Sequence, residues 1–453
     1  MVKGIFRVLS ANIVAVVVGF VTSLLFPKVL TVEDYALYQT FILYSSYLGL
    51  LSLGFPSGLF IKYGGVRYSQ VARGSLKSEI HIVLLCGAAA AVGLLALFGM
   101  LRSPVLLYCG VIVLPLSVIT VYKTLYQAWD EFAKYSVVTA LGTVLPLLIT
   151  GAALVAIRVA SVRLVIVPMI VVDVAFAVWM MAGFVRDTRG VRRAPYFSPE
   201  NGATLKVGFV LTLANAANLL FTTLGRFFAL YLFPTGQFAV YAFAMSLQSL
   251  LNVAVSAVAL PVYPRVASGA MTNQNLGALM RLLLGIGSLS GTAYFACSIV
   301  VRWFLPAYVD SLGVIRLFFV VFPVIAVING VHVNLYKARN RTSVYLVSLV
   351  GVILATTMLS GVGVLVWRDV RILAVANSLG YVVWLILASR TFREVRYSAR
   401  DAVYSVGYVA LYFLTTDLET DVVGLVTYTA VIAGWFLAVY RREMPEFRAL
   451  LRT

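Results

Sequence analysis

The stretch Leu205–Tyr241, LKVGFVLTLANAANLLFTTLGRFFALYLFPTGQFAVY, combines a hydrophobic run long enough to cross a membrane with an arginine inside that run. On an α-helix Asn215, Thr222 and Arg226 fall on one side, and most of the remaining surface is Leu, Phe, Val and Ala. A charge at the centre of a bilayer costs roughly 2.5–3.5 kcal/mol even on the most lenient scale. Such a helix must turn its polar side toward protein or a water-filled cavity, so the stretch predicts a pathway through a membrane protein.

Composition places the whole chain in the membrane class. Hydrophobic residues make up 62% of the 453 residues and charged residues 11%, against roughly 45–50% and 25% in soluble domains. We therefore predict an all-α polytopic membrane protein with about fourteen transmembrane helices, of which the thirteenth is short enough to be a re-entrant or interfacial segment. The apolar runs lie near residues 5–26, 38–60, 80–101, 104–125, 135–157, 164–185, 207–233, 238–262, 279–301, 312–335, 343–366, 371–389, 401–416 and 422–440.

The chain also contains a weak internal repeat. At a shift of 203 positions Tyr35–Tyr38 aligns with Phe238–Tyr241, and at a shift of 210 Leu125–Tyr126 aligns with Leu335–Tyr336. The similar shifts indicate a duplicated unit of about 200 residues. Many transporters are built from such repeats, with the substrate path at the interface between the copies.

Lysine and arginine are distributed unequally between the loops. With the N-terminus inside, 26 of the 35 basic residues fall in cytoplasmic loops and 7 in outer loops, while Arg226 and Arg316 lie within apolar runs. The bias predicts that both termini are cytoplasmic. It also accounts for most of the net charge of +18 without a nucleic-acid partner. Cysteine labelling from outside is then expected at position Thr420 and not at Ser198.

Motifs of other classes are missing from the sequence. There is no Gly-x-x-x-x-Gly-Lys-Ser/Thr phosphate loop to support ATP hydrolysis. His81 and His332 have no acids or cysteines clustered around them, and the three cysteines lie in apolar runs, so we expect no metal, cofactor or disulfide. The loops are also too short to hold a soluble domain.

Four segments resemble a known family. They are Thr31-Val-Glu-Asp-Tyr-Ala-Leu-Tyr38, Leu53-Gly-Phe-Pro-Ser-Gly-Leu-Phe-Ile-Lys62, Tyr336-Lys-Ala-Arg-Asn340 and Ala374-Val-Ala-Asn-Ser-Leu-Gly-Tyr381. With their neighbouring apolar runs they resemble the polysaccharide transporter branch, the O-antigen and oligosaccharide flippases, of the multidrug/oligosaccharidyl-lipid/polysaccharide flippase superfamily. The resemblance covers most of residues 1–390.

The resemblance implies two six-helix lobes, residues 1–200 and 201–395, around a central cavity, and two further helices in residues 396–453. The implied activity moves undecaprenyl-diphosphate-linked oligosaccharide repeat units across the bacterial inner membrane, for assembly of O-antigen, capsule or exopolysaccharide. The implied partners are that lipid-linked oligosaccharide, membrane lipids, a polysaccharide polymerase and chain-length machinery. No enzyme activity and no nucleic acid are implied.

Polar residues within the runs are the candidate site residues. Arg226, with Asn215 and Thr222 on its side of the helix, and Arg316, with Asn334 five helical turns away, could offer a positive surface to the lipid diphosphate. The alternative for both arginines is that their side chains extend to the headgroups.

Asp173 lies near the centre of its run. Because burial disfavours its charged form, it could exchange protons and couple transport to an ion gradient. The alternatives are a structural ion pair and a hydrogen-bonded neutral acid. Two further functions remain open: an ion-coupled exporter of small solutes or drugs, for which Asp173 is the available acid, and a membrane-embedded polysaccharide polymerase or ligase.

Overall fold

The computed structural model describes residues 2–157, 159–259, 265–266, 271–395, 397–417 and 421–447. Within these ranges every regular element is helical, which confirms the predicted all-α polytopic class. In this part of the chain ten helices are long and apolar enough to cross a membrane, or eleven if the bent pair Ser311–Phe319 and Phe322–Ala338 forms one span. The count of fourteen spans stays a prediction; position Thr420, proposed for labelling, lies outside the described residues.

The chain divides into two compact units, Met1–Leu219 and Leu220–Thr453. The predicted boundaries at residues 200 and 395 stay a prediction, and one long helix continues across the boundary between the two units. The helices that begin in the first unit are α1 Val2–Val29, α2 Val32–Leu48, α3 Phe55–Tyr63, α4 Arg73–Leu101, α5 Pro104–Ala128, α6 Phe132–Ile157, α7 Val162–Asp187 and α8 Pro199–Leu232.

The second unit contains several helices that are broken inside apolar runs. Its helices are α9 Thr235–Ala259, α10 Asn273–Ser288, α11 Ser290–Phe304, α12 Ser311–Phe319, α13 Phe322–Val327, α14 Val333–Ala338, α15 Thr342–Val366, α16 Arg371–Thr391, α17 Ala399–Thr416 and α18 Asp421–Tyr440. A π-helical turn, Ile328–His332, joins α13 to α14. Pro323 in the first turn of α13 explains the break before it, because a proline has no N–H group to donate to the carbonyl four residues earlier.

Glycines allow α3 and α8 to pack backbone against backbone within the first unit. Gly54 precedes α3 with a φ of 84°, a left-handed conformation that glycine adopts without strain. A Cβ atom on Gly58 would overlap the carbonyl oxygen of Thr204, and one on Gly208 would overlap the carbonyl oxygen of Gly54. The approach is therefore closer than any side chain permits, as in other helix pairs of membrane proteins.

The last two helices supply hydrogen-bond donors to the broken helices. A helix that ends inside a bilayer leaves carbonyl groups without their usual partners, and these must be satisfied by other protein groups. On α17 Tyr412 donates to the carbonyl oxygen of Arg316 at 3.0 Å, and Tyr408 donates to that of Phe319 at 3.3 Å. On α18 Tyr428 donates to the carbonyl oxygen of Ser288 at 2.5 Å. These donors stabilise the ends of α12 and α10.

Ion pairs hold both ends of the same helix pair. At one end Asp401, whose side chain is fully buried, lies 3.3 Å from Arg281, and Glu443 lies 2.9 Å from the same arginine. At the other end Arg302 lies 3.0 Å from Asp421. Within the second unit, the pair α17 and α18 is therefore joined to α10 at one end and to α11 at the other.

Candidate functional site

Asp173 lines a cavity of about 200 Å³ inside the first unit. Helices α1, α2, α6 and α7 form its walls, and Gly19 and Gly142 leave room for it because they have no side chains. The lining groups that carry polar side chains are Thr22, Tyr38, Thr143, Thr150 and Asp173. Of these lining residues only Asp173 carries a charge, so the cavity can hold a small cation or a proton on that carboxyl group.

Lys123 on α5 interacts electrostatically with Asp173. Its ammonium group lies 5.3 Å from the centre of the Tyr135 ring, and within the described ranges it forms no ion pair with Asp173 shorter than 4.0 Å. The two charges therefore lie in neighbouring helices without direct contact. This arrangement fits two of the interpretations of Asp173 from the sequence, the exchange of an ion and a structural charge pair.

Arg226 is half-buried on α8 and interacts electrostatically with the fully buried Tyr241 of α9. Gly225 makes this neighbourhood possible, since a Cβ atom there would overlap the hydroxyl of Tyr241. Along the same side of α8 Thr222 is also half-buried and Asn215 is exposed. The polar stripe predicted from the sequence therefore runs from an exposed end to a half-buried arginine.

Arg316 is held by the C-terminal helices. Its guanidinium group lies 2.7 Å from Asp417, donates to the carbonyl oxygen of Phe413 at 3.0 Å, and sits 4.8 Å from the centre of that phenylalanine ring. Phe318 lies two residues further along α12 and more than half a turn around it. The centre of its ring lies 5.5 Å from that of the Tyr241 ring. Tyr241, the neighbour of Arg226, therefore packs against a different side of α12 from the one that carries Arg316. The shared positive surface expected from the sequence stays a prediction.

The expected alignment of Asn334 with Arg316 lacks the continuous helix on which it was based. That expectation assumed one unbroken helix, whereas the segments Ser311–Phe319 and Phe322–Ala338 meet at an angle of 46° and include the π-turn. Asn334 is buried, and its amide donates to the carbonyl oxygen of Gly330 at 2.9 Å. This bond supplies a donor at the irregular turn.

A buried charge cluster in the first unit was not found from the sequence. Glu79 of α4 is fully buried and lies 2.6 Å from Lys62, and it accepts a hydrogen bond of 2.6 Å from Tyr63. Burial alone would lower the pKa of Lys62, but Glu79 and Glu200 raise it above its ordinary value. Burial and Glu79 also raise the pKa of Tyr63. No spacing motif could have revealed this cluster, because helix packing alone brings α3 next to α4.

Comparisons with known proteins identify the fold. No protein-family model matches the chain, and no curated protein matches it by sequence. Among solved structures it is similar to the lipid II flippase MurJ in an inward closed conformation, with a TM-score of 0.68 and 12% sequence identity. The match covers 96% of this chain and 99% of that one. The chain is therefore a multi-pass α-helical membrane protein with the fold of that flippase.

Proposed function

We propose that the protein is a flippase that moves undecaprenyl-diphosphate-linked oligosaccharide repeat units from the cytoplasmic to the outer leaflet of a bacterial inner membrane. The observation that carries this proposal is the fold, which matches a lipid II flippase along nearly the whole of both chains. The resemblance of four segments to the polysaccharide transporter branch supports the choice of oligosaccharide. O-antigen, capsule or exopolysaccharide assembly would be the process served, with a polymerase and chain-length machinery as partners.

Moving a lipid-linked sugar changes no covalent bond, so the protein has to offer a polar path for a charged headgroup. Arg226 is the best candidate for contact with the diphosphate, because it is half-buried on a helix side that also carries Thr222 and Asn215. A guanidinium group pairs its donors with phosphate oxygens, and such contacts are stronger where water is partly excluded. Arg316 and Asn334, also predicted to contact the substrate, would act indirectly by stabilising the broken helices that surround them.

Asp173 would couple this movement to an ion gradient. Its cavity is too small for an oligosaccharide and has room for a small ion. The same observation favours the second candidate function, an ion-coupled exporter of small solutes with the same fold. A polymerase or ligase would need a set of reacting groups, and no described feature favours that alternative.

A deletion strain separates these functions. In a bacterium that uses this chain for a surface polysaccharide, deletion should leave undecaprenyl-linked repeat units in the membrane with their sugars facing the cytoplasm. Loss of an exporter would cause no such accumulation. Loss of a polymerase would instead leave unpolymerised units facing outward, and either of these results would contradict the proposal.

A further inference from the structure

A second cavity of about 200 Å³ lies at one end of the first unit, where α5 and α7 end and α6 begins. Its walls are mainly aromatic, and its rim carries charges of both signs. The aromatic lining residues are Tyr68, Tyr122, Tyr126, Trp129, Trp179 and Phe184, and the charged ones are Glu131, Lys134, Arg186 and Asp187. None of these residues belongs to the sites discussed above, and the volume suits a single ring rather than a chain of rings.

Two buried hydrogen-bond donors on residues that line this cavity have no partner among the described residues. They are the hydroxyl of Tyr122 and the indole Nε1 of Trp129, and each residue is 7% exposed. A buried polar group without a hydrogen bond costs free energy, so these positions favour a ligand that satisfies them. An indole nitrogen can only donate, and the ligand must therefore present acceptor oxygens.

The rings also call for a ligand with an apolar face. The rings of Tyr68 and Trp129 lie 4.8 Å apart, and those of Tyr122 and Tyr126 lie 5.9 Å apart. Aromatic walls of this kind bind flat apolar surfaces, while their polar ends fix the ligand's orientation. A sugar ring has both properties, because its C–H face is apolar and its edge carries oxygen atoms.

The charges on the rim balance each other. Lys134 lies 2.7 Å from Glu131, and Arg186 lies 3.8 Å from Asp187. Tyr68 donates to Asp187 at 2.9 Å, and burial together with this bond raises the pKa of Tyr68 to about 12, so the donor keeps its proton at neutral pH. A rim of paired charges favours an uncharged ligand over a diphosphate or an organic cation.

We propose that this cavity binds one uncharged sugar ring. The biological role of this site rests on the proposed function. The positive-inside bias predicts that this end of the unit faces the cytoplasm, where the sugar would arrive on the lipid carrier or on a nucleotide. The site would then recognise part of the glycan before transport, apart from any contact with the diphosphate.

The test measures binding without transport, on the full-length protein purified in detergent. Tryptophan emission is followed during titration with methyl glycosides of glucose, galactose, mannose and N-acetylglucosamine, and with UDP alone. At least one glycoside should bind, and Tyr122→Phe and Trp129→Phe should each weaken its binding about tenfold, while Trp179 remains in the cavity as the reporter. Trp303→Phe, at an exposed position in the second unit, is the matched control and should bind as the wild type does.

Three results would overturn the proposal. They are an unchanged emission with every glycoside, binding of UDP alone, and equal affinity of the two cavity variants and the control. Two further ligands, farnesyl-diphosphate-linked N-acetylglucosamine and UDP-N-acetylglucosamine, identify the source of the sugar. If either one binds more tightly than methyl N-acetylglucosaminide, the result supports the site and shows whether the sugar arrives on a lipid or on a nucleotide. Flipping is measured in a separate assay. If no glycoside binds, the proposed function is unaffected, and if the protein does not flip lipid-linked sugars, the binding result is unaffected.

Discussion

At the scale of single residues, Asp173 and Lys123 place opposite charges in neighbouring helices without direct contact. If Asp173 carries the coupling proton, Asp173→Asn should make the transport rate independent of the proton gradient, because the amide cannot exchange a proton. The measurement is transport into vesicles at several imposed pH gradients. Glu33→Gln, which removes an exposed acid at the start of α2, should behave as the wild type. A variant at Asp173 that keeps wild-type rates at every gradient would assign the residue to a structural charge pair.

Arg226 and Arg316 look equivalent in the sequence but have different surroundings. We expect Arg226→Lys to retain part of the transport activity because the charge remains, and Arg226→Gln to lose it on the order of tenfold or more while the protein still accumulates. Arg316→Gln, which removes the pair with Asp417, should mainly lower the thermal stability in detergent. Transport assays and unfolding curves on the same preparations distinguish the two outcomes. Wild-type transport by Arg226→Ala would show that this arginine does not contact the substrate.

At the scale of elements, the close packing of α3 and α8 depends on glycine. Gly58→Ala should destabilise the first unit by about 1–3 kcal/mol, since its methyl group would overlap the backbone of Thr204 and force the helices apart. Thermal unfolding in detergent measures the effect. Gly202→Ala on α8 is the matched control, because a Cβ atom there meets no other atom within 4 Å. Equal melting temperatures for the two variants would refute this account of the packing.

The tyrosines of the C-terminal helices offer a second test at this scale. Tyr412→Phe removes the hydroxyl that donates to the carbonyl of Arg316, which then keeps only its backbone bond from Val320, and we expect a loss of about 0.5–1.5 kcal/mol in unfolding free energy. Val406→Ala, at a position of the same helix that is 70% exposed, should change stability little. The reverse order of the two effects would mean that the broken helices do not depend on these donors.

Apolar runs predicted where the helices lie, but they could not predict how the helices break or pair. Within the run 312–335, Pro323 indicates a break in the helix, whereas no residue in the sequence indicates the π-turn that follows it. For the same reason the unbroken helix assumed between Arg316 and Asn334 is not present. The pairing of Lys62 with Glu79 depends on the packing of two helices, and a spacing along one helix cannot reveal it.

At the scale of the whole molecule, composition was sufficient to predict a polytopic membrane protein. It was not sufficient to identify a protein with the same fold. Membrane helices share the same few apolar residues, so a similar fold can persist at 12% identity while no family model matches. The three-dimensional arrangement carries the likeness to a flippase, and the choice of substrate depends on side chains that this likeness does not specify. The identity of the substrate is therefore the claim that most needs an experimental test.

The most direct test of the central claim is a flipping assay with the purified protein in liposomes. The liposomes carry a fluorescent undecaprenyl-diphosphate-linked oligosaccharide in both leaflets, and dithionite destroys the fluorophores that reach the outer leaflet. With an imposed proton gradient, wild-type protein should expose the inner-leaflet pool to dithionite, and Arg226→Gln should leave most of it protected. If the inner pool stays protected with wild-type protein while the same vesicles move a small drug-like solute, the protein is an exporter and the flippase account is contradicted.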